Sequence, residues 1–565
     1  MAPKQKRQHS ESDELLVIAL DFGTTYSGVA YCFANQKNTN PTAIMDWPGN
    51  SGISAPKIPT IIAYDKERPE DFKWGASVDA LEGGITGIKL LLDPEQERPL
   101  YLPSINVKKS LKELAKPPVE VAADFIGAIY KHALAEISKT VPKPYMDMCS
   151  KEFVVSVPAV WSDAAKNATL QAAKFAGIHP VTLMKEPEAA ALHIVKSLDF
   201  SIKKGDAFVV CDAGGGTVDL ISYEVEQIIP KLRVKELVPG TGGMAGSLGL
   251  NQRFAQAVQD LVGDDQWYTV KKSKAWAMAQ RQFDQEVKRA FKGELDEEYF
   301  INFPLANLED DPSGGLMEDL LRIFDPLIED ILRLIELQVQ AIKLKRLELG
   351  ISGIMLVGGF GGSRYLMKRA KSHFLGIEVL QPQDAWAAIV KGAVLSQLPG
   401  QACVVSTSAT KHYGVDALDV YDPLEDAGRL TKLYVDGEFR VAKMTWFIHK
   451  GDDIGRDQKI KFPFVRSLED DYTSEDLIFH DTLYQSHEKV APAYPSKGKL
   501  MQENCSVTAD LSGVSKSHMI RNKNLQGVPY YDFHYHLVVS LQSAVMTFSL
   551  EVDGQTMGCV TVDYK

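Results

Sequence analysis

The chain has no apolar run near the roughly 18 residues that a membrane-spanning helix needs. Its first residues, Met1 to Glu14, are polar where a secretory signal would carry an apolar stretch. The six cysteines, at 32, 149, 211, 403, 505 and 559, are scattered without a close pair. That excludes a zinc ribbon and gives no disulfide framework. Cys211 lies inside an apolar run and reads as a small buried hydrophobe. Positive charge is in deficit: the formal net charge is −12, which argues against non-specific nucleic-acid binding. No Gly-x-Ser-x-Gly elbow occurs, and no tandem repeat. The twelve histidines show no metal spacing; His534 and His536 alternate around Tyr535 along a strand and read as structural. These absences fit a cytoplasmic protein, or a nuclear one, with a disordered N-terminal tail over 1–14. A length of 565 residues suggests three to four domains by the usual ~150-residue prior.

What is present begins with Val17-Ile-Ala-Leu-Asp-Phe-Gly-Thr-Thr-Tyr26 and Phe208-Val-Val-Cys-Asp-Ala-Gly-Gly-Gly-Thr-Val-Asp-Leu220. Each is an apolar run, an Asp, one apolar residue, glycine, and hydroxyl residues. The run reads as a buried strand. The glycines permit close backbone approach. A turn of successive backbone N–H groups cradles phosphate. Asp21 and Asp212, at the strand ends, suit a hydrated magnesium ion over that phosphate. Two such pieces, 191 residues apart, suggest duplicated lobes facing one nucleotide. A third piece, Ile351-Ser-Gly-Ile-Met-Leu-Val-Gly-Gly-Phe-Gly-Gly-Ser-Arg364, is a strand, a glycine-rich turn and a helix start suited to lie against an adenosine.

The order of these three turns resembles the actin-like ATPase superfamily. The segments Phe153-Val-Val-Ser-Val-Pro-Ala-Val-Trp-Ser-Asp-Ala-Ala-Lys-Asn-Ala-Thr169, Lys185-Glu-Pro-Glu-Ala-Ala-Ala-Leu192 and Phe324-Asp-Pro-Leu-Ile-Glu329 resemble its 70-kDa heat-shock chaperone branch. The resemblance runs from about Leu16 to Leu398 and is loosest at 240–320. It implies an α/β fold of two ribonuclease-H-like lobes, 15–200 and 201–400, followed by a β-rich domain, 401–565, for peptide clients or a partner. The family's helical lid is not found before Lys565, and Ala402-Cys-Val-Val-Ser406 stands where the family has an acidic, apolar linker.

Within this frame several elements are expected. Ala165, Ala168, Ala172, Phe175 and Ala176 repeat at helical spacing, with Ser162 or Asp163 as N-cap and Gly177 as stop. Phe283, Val287, Ala290 and Phe291 read as one helical face. Pro326 reads as the first-turn proline of a helix to Leu347. Asp384 reads as the cap of a last helix, Ala385–Leu398. Val545–Val552, the turn Asp553-Gly554 and a return over Met557–Val562 read as a hairpin.

The resemblance also implies ATP or ADP with Mg²⁺ as cofactors and names the site. Gly23, Thr24, Thr25 and Tyr26 meet phosphates from one lobe; Gly214, Gly215, Gly216 and Thr217 do so from the other. Asp21 and Asp212 anchor the metal, through water. Glu186 lies near the metal and the attacking water, which Asp219 helps to position. Lys89 supports cleavage of the γ-phosphate; the bland reading is a surface lysine with its stem on apolar neighbours. Lys288 and Arg289 border the nucleoside, against the alternative of a solvated helix face. Gly358 and Gly359 match the adenosine turn, but Gly362 stands where the family has a base-stacking Arg, and Arg364 follows two residues later. Gly242 and Gly243 match a further turn, where Met244 replaces an acidic residue. A slow chaperone-type ATPase is the leading reading. A metabolite kinase on the same fold and a nucleotide-binding scaffold without turnover are its rivals.

Overall fold

The computed structural model describes residues 14–564 apart from 36–38, 51, 66, 69, 80–83, 94–115, 198–202, 230, 244, 295, 296, 298, 300, 302–315, 347–349, 401, 402, 457, 497, 499, 543 and 558. The expected tail up to residue 13, Met244, Leu347 and Ala402 lie outside the described residues. The chain divides into two compact units: Met1–Trp161 with Ala168–Val404, and Ser162–Asn167 with Val405–Lys565.

The larger unit holds two six-stranded sheets of similar plan. In the first, Leu15–Asp21 pairs antiparallel with Tyr26–Phe33 and parallel with Ser150–Val157, which is followed by Val181–Lys185. In the second, Ala207–Ala213 pairs antiparallel with Val218–Gln227 and parallel with Ile351–Val357. Both leading strands are buried almost throughout, which is why they read as continuous apolar runs rather than alternating ones.

Two alanine-rich helices, Glu186–Ser197 and Ala388–Gln397, join the sheets. One apolar core takes in Val17, Ala19 and Val154 of the first sheet, Phe208, Val210 and Met355 of the second, and both helices. The small side chains let the helices approach closely. A Cβ on Gly392 would lie 1.7 Å from the carbonyl oxygen of Ala189. A second core packs the far face of the second sheet against Leu248–Val270, Lys274–Gln282 and Leu316–Lys345.

Several expected elements are corrected. Pro326 lies inside the helix Leu316–Lys345, not at its start. Burial of Ile323, Phe324, Leu327, Ile328 and Ile331 on both sides of the proline outweighs the ~3 kcal/mol a proline costs a helix interior. Asp384 does not cap the last helix, which begins at Ala388; its carboxylate pairs with His193 (3.0 Å) and Lys391 (2.7 Å) instead. Phe283, Val287 and Phe291 are buried, but Ala290 is exposed, because the helix widens to a π-turn over Phe283–Val287. Ser162 is the N-cap of Asp163–Phe175: its hydroxyl accepts from the Ala165 N–H at 3.1 Å.

The second unit is built of antiparallel strands around a core of its own. Phe533, Tyr535, Leu537 and Val539 alternate inward along Pro529–Gln542 and meet Val415, Leu483, Cys505 and Val507 of the facing sheet. The Asp553-Gly554 turn forms as expected, both residues having positive φ. The return differs: after the short Gln555–Thr556 the chain crosses over, and Cys559–Tyr564 pairs with Gln502–Asp510 of the other sheet.

The helix crossing generates a test. Gly392→Ala should destabilise the larger unit by about 2 kcal/mol or more, because the new methyl meets a backbone atom. Gly350→Ala, where a Cβ meets nothing within 4 Å, should stay within about 0.5 kcal/mol of wild type. Denaturant or thermal melts decide; equal melting of the two variants would contradict the close crossing.

Candidate functional site

The strands Leu15–Asp21, Ala207–Ala213 and Ile351–Val357 deliver their C-terminal ends to one cavity, the usual place for a ligand in open α/β sheets. The turn after the first strand is braced from within. The Gly23 N–H donates to the Ser27 hydroxyl (3.2 Å), the Ser27 and Thr60 hydroxyls are 2.8 Å apart, and the Thr60 N–H donates to the Thr25 carbonyl (2.8 Å). The second turn closes through the Gly214 N–H on the Thr217 carbonyl (2.9 Å). The start of helix Leu248–Val270 bonds back to it through the N–H groups of Ser247 and Leu248. The two turns touch: a Cβ on Gly215 would lie 2.2 Å from the Thr25 hydroxyl oxygen. The third turn folds onto the second. Gly358 has φ +85°, and a Cβ there would lie 2.1 Å from Asp212 Oδ1, while the N–H groups of Phe360 and Gly361 donate to the Ala213 carbonyl.

Under these turns lies a buried cluster of charge. Asp21, Glu186, Asp212 and Asp219 are all buried, and so are Lys57 and Lys89. Lys89 sits on the short helix Ile88–Leu92, is 3 % exposed, and pairs with Glu186, so it is not the surface lysine of the bland reading. Lys57 donates to Asp21 Oδ2 at 2.5 Å, and the Ser156 hydroxyl donates to Asp21 Oδ1 at 2.8 Å. Asp212 Oδ1 is buried with no hydrogen-bond partner. Burial pushes the Asp21 carboxyl up, but Lys57 and Lys89 more than offset that and hold it below the usual range. Burial drives Glu186 up to about 7, against the pull of Lys89 and with the help of Asp21 and Asp219. Asp212 is also raised, well above the usual carboxylate range, by burial and then by Glu186, Asp219 and Asp21.

Away from this cluster the cavity wall changes character. Asp284, on the π-turn, accepts from Lys288 Nζ (2.6 Å) and the Tyr26 hydroxyl (3.1 Å). The Arg289 guanidinium lies 4.1 Å from the centre of the Trp386 ring, and Tyr26 meets that ring edge-on at 5.5 Å. Gly359 faces the indole: a Cβ there would lie 3.5 Å from Trp386 Nε1.

Of the residues singled out in the sequence, all but five line this cavity. Asp219 stands behind the turn, opposite Asp212 in the hairpin, and accepts from the Thr217 hydroxyl at 2.9 Å. Gly242 and Gly243 do not reach the wall. They pair with Asp219 and Val218 in the sheet, where a Cβ on Gly242 would lie 2.7 Å from the Val218 carbonyl. Gly362 is off the wall too, and Arg364 is exposed at the start of the helix Arg364–His373, capped by Ser363. The wall holds Lys57, Ser247, Leu248, Asn251, Asp284 and Trp386 as well, which the sequence reading missed. Lys57 lies in Ala55-Pro-Lys-Ile-Pro59 and Trp386 two residues past Asp384, with no motif to flag either. The Gly242-Gly243 pair drew attention a few residues short of Ser247.

The raised Glu186 carboxyl has a thermodynamic consequence in the ligand-free protein. The folded chain holds a proton that the unfolded chain releases near pH 4.3. This group's contribution to stability is therefore fully present below that pH and is lost as pH rises through about 7. Melting temperature should fall from pH 5 to 8 more steeply in wild type than in Glu186→Gln. Parallel profiles would show that Glu186 titrates normally.

The family model for "Hsp70 protein" matches residues 101–394. Heat shock 70 kDa protein 12B of Homo sapiens is 26% identical over 535 residues, covering 75% of this chain and 74% of that protein. Heat shock 70 kDa protein 12A of Homo sapiens is 25% identical, covering 72% and 73%. Chaperone protein DnaK of Buchnera aphidicola is 25% identical, covering 67% and 60%. The turns, the charge cluster and these matches meet in one conclusion: the chain is a divergent member of the Hsp70 family.

Proposed function

We propose that the chain binds ATP in this cavity and hydrolyses it slowly, as a chaperone-type ATPase whose two sheets are duplicated actin-like lobes. The observation that carries the reading is the contact between the two glycine turns above a buried pair of lysines. Phosphoryl transfer asks for positioning and charge neutralisation more than for covalent chemistry. The turns offer backbone N–H groups and the hydroxyls of Thr24, Thr25 and Thr217 to a triphosphate. Lys89 meets the charge that develops on the terminal phosphate. Glu186, with a carboxyl poised near neutrality, takes or orients the proton of an attacking water, and Asp219 holds Thr217 in place. Magnesium, when bound, supplies further positive charge to the phosphates; Asp212, with its open oxygen, is the residue that fits it through water, whereas both oxygens of Asp21 are engaged.

The base is read as lying against the Arg289–Trp386–Tyr26 wall, in place of the contact expected from the position of Gly362 and Arg364. Stacking on arginine and aromatic faces suits any purine. The second unit is assigned to a client or partner. It carries a cavity of its own beside Phe464, His480 and the paired Arg466 and Asp481. No helix among the described residues is long and apolar enough to cross a membrane. The scaffold reading draws on a specific observation too: each lysine of the cluster is already paired, which suits holding a nucleotide as well as cleaving it.

ADP release by purified protein, with and without hexoses, separates ATPase, kinase and scaffold. Gly215→Val should abolish ATP binding in a folded protein, and unchanged affinity would sink the assignment. Lys89→Ala should bind ATP but turn over about 10²–10³ times more slowly. Trp386→Ala should weaken ATP about tenfold and leave tripolyphosphate unaffected, whereas Arg364→Ala should alter neither. A loss of ATP affinity in Arg364→Ala alone would return base recognition to that residue.

A further inference from the structure

Lys57 is a buried cation of the cavity to which the nucleotide reading gives no contact of its own with the ligand. It lies in the segment Ala55–Pro59, whose Ile58–Pro59 pairs with Ser27 and Tyr26 of the first sheet. Its stem crosses Gly28, where a Cβ would lie 3.0 Å from Lys57 Cγ and 2.5 Å from the Pro56 carbonyl. Gly28 is the register partner of Asp21, so the missing side chain leaves a path for the lysine to the strand end. Lys57 is 6 % exposed and lines the cavity, and its ammonium group donates to Asp21 Oδ2 at 2.5 Å. Both oxygens of Asp21 are thereby engaged, since the other accepts from Ser156. Four carboxylates and two ammonium groups, formally ionised, leave the cluster with two negative charges; without Lys57 there would be three. Asp21 and Asp212 were expected to share a divalent cation. One of them already has a cation, covalently tethered to the chain.

We infer that Lys57 is a resident counter-ion of the phosphate site. It neutralises Asp21 and presents its remaining N–H donors to the nucleotide phosphates, so that ATP binds with little need for magnesium. An ammonium has three donors and Asp21 takes one. Ammonium contacts with phosphate are charge-assisted and strengthened in a site shielded from water. The inference rests on the nucleotide reading above, and it changes what the metal does there: the ion, bound through Asp212, adds to binding but is not its precondition.

The test is calorimetric titration of the full chain with ATP, once in magnesium and once in excess EDTA, on wild type, Lys57→Thr and Lys57→Arg. Melting curves establish which variants fold. Wild type should hold its affinity in EDTA within about fivefold of that in magnesium. Lys57→Thr should lose about tenfold or more in EDTA and recover most of the loss in magnesium. Lys57→Arg, which keeps the charge, should behave closer to wild type than Lys57→Thr does. Wild-type binding that requires magnesium overturns the inference and leaves the nucleotide reading standing. So does metal-free binding that Lys57→Thr does not weaken. Absence of binding in both buffers overturns the two together. Should Lys57→Thr fail to fold, the wild-type comparison still decides.

Discussion

Burying several charges in one place is the constraint on which the site depends. Four carboxylates and two lysines sit together out of water, and each alone would be expensive there. They persist because they compensate one another: Lys57 holds Asp21, and Lys89 holds Glu186. The compensation is incomplete. Asp212 keeps an oxygen without a partner, and three of the four carboxyls are pushed upward. That remainder is negative, so a cation, or a ligand that brings one with it, gains by neutralising it.

Holding the cluster together falls to a scaffold that cannot give way easily. The strands that carry Asp21 and Asp212 lie in different sheets, yet they share a core through two helices that meet through small residues. The lysines come from short irregular segments, Ile88–Leu92 and Ala55–Pro59, that are pinned by burial and by pairing rather than by regular structure. Precision therefore comes from the sheets, and the variable pieces are the ones that bring positive charge. Near the Trp386 wall the π-turn acts in a similar way, since one wider turn of helix directs Asp284, Lys288 and Arg289 into the same space.

The parts legible in the sequence were those encoded locally. An apolar run that ends in Asp-x-Gly carries its strand, its turn and its carboxylate within ten residues, so the turns after Asp21 and Asp212 could be placed from the chain alone, as could the Gly358-Gly359 turn that ends its own apolar run. Gly177 and Asp553-Gly554 were legible for the same reason, since positive φ belongs to single residues. Pairs made across the fold were not. Lys57 is 36 residues from Asp21, and Lys89 is 97 from Glu186; Lys89 was found only by resemblance, and Lys57 not at all. Arg364 shows the opposite failure. It is the right residue type close to the right place, but the cap at Ser363 starts a helix there and turns its side chain outward to solvent. Pro326 failed because a local rule about helix starts lost to burial on either side of it.

The close crossing of Glu186–Ser197 and Ala388–Gln397 bears on how the cavity can open. With the backbone of Gly392 against that of Ala189, no side-chain cushion separates the helices there. Sliding one along the other would drive Cβ atoms into carbonyls, whereas swivelling about the point of contact would not. Any relative motion of the two helices would thus favour a swivel about this contact, with displacements that grow with distance from it. Glu186 begins the helix only three residues before Ala189 and must travel least. A small turn there would change the spacing of the two sheets while leaving the start of the Glu186–Ser197 helix nearly in place.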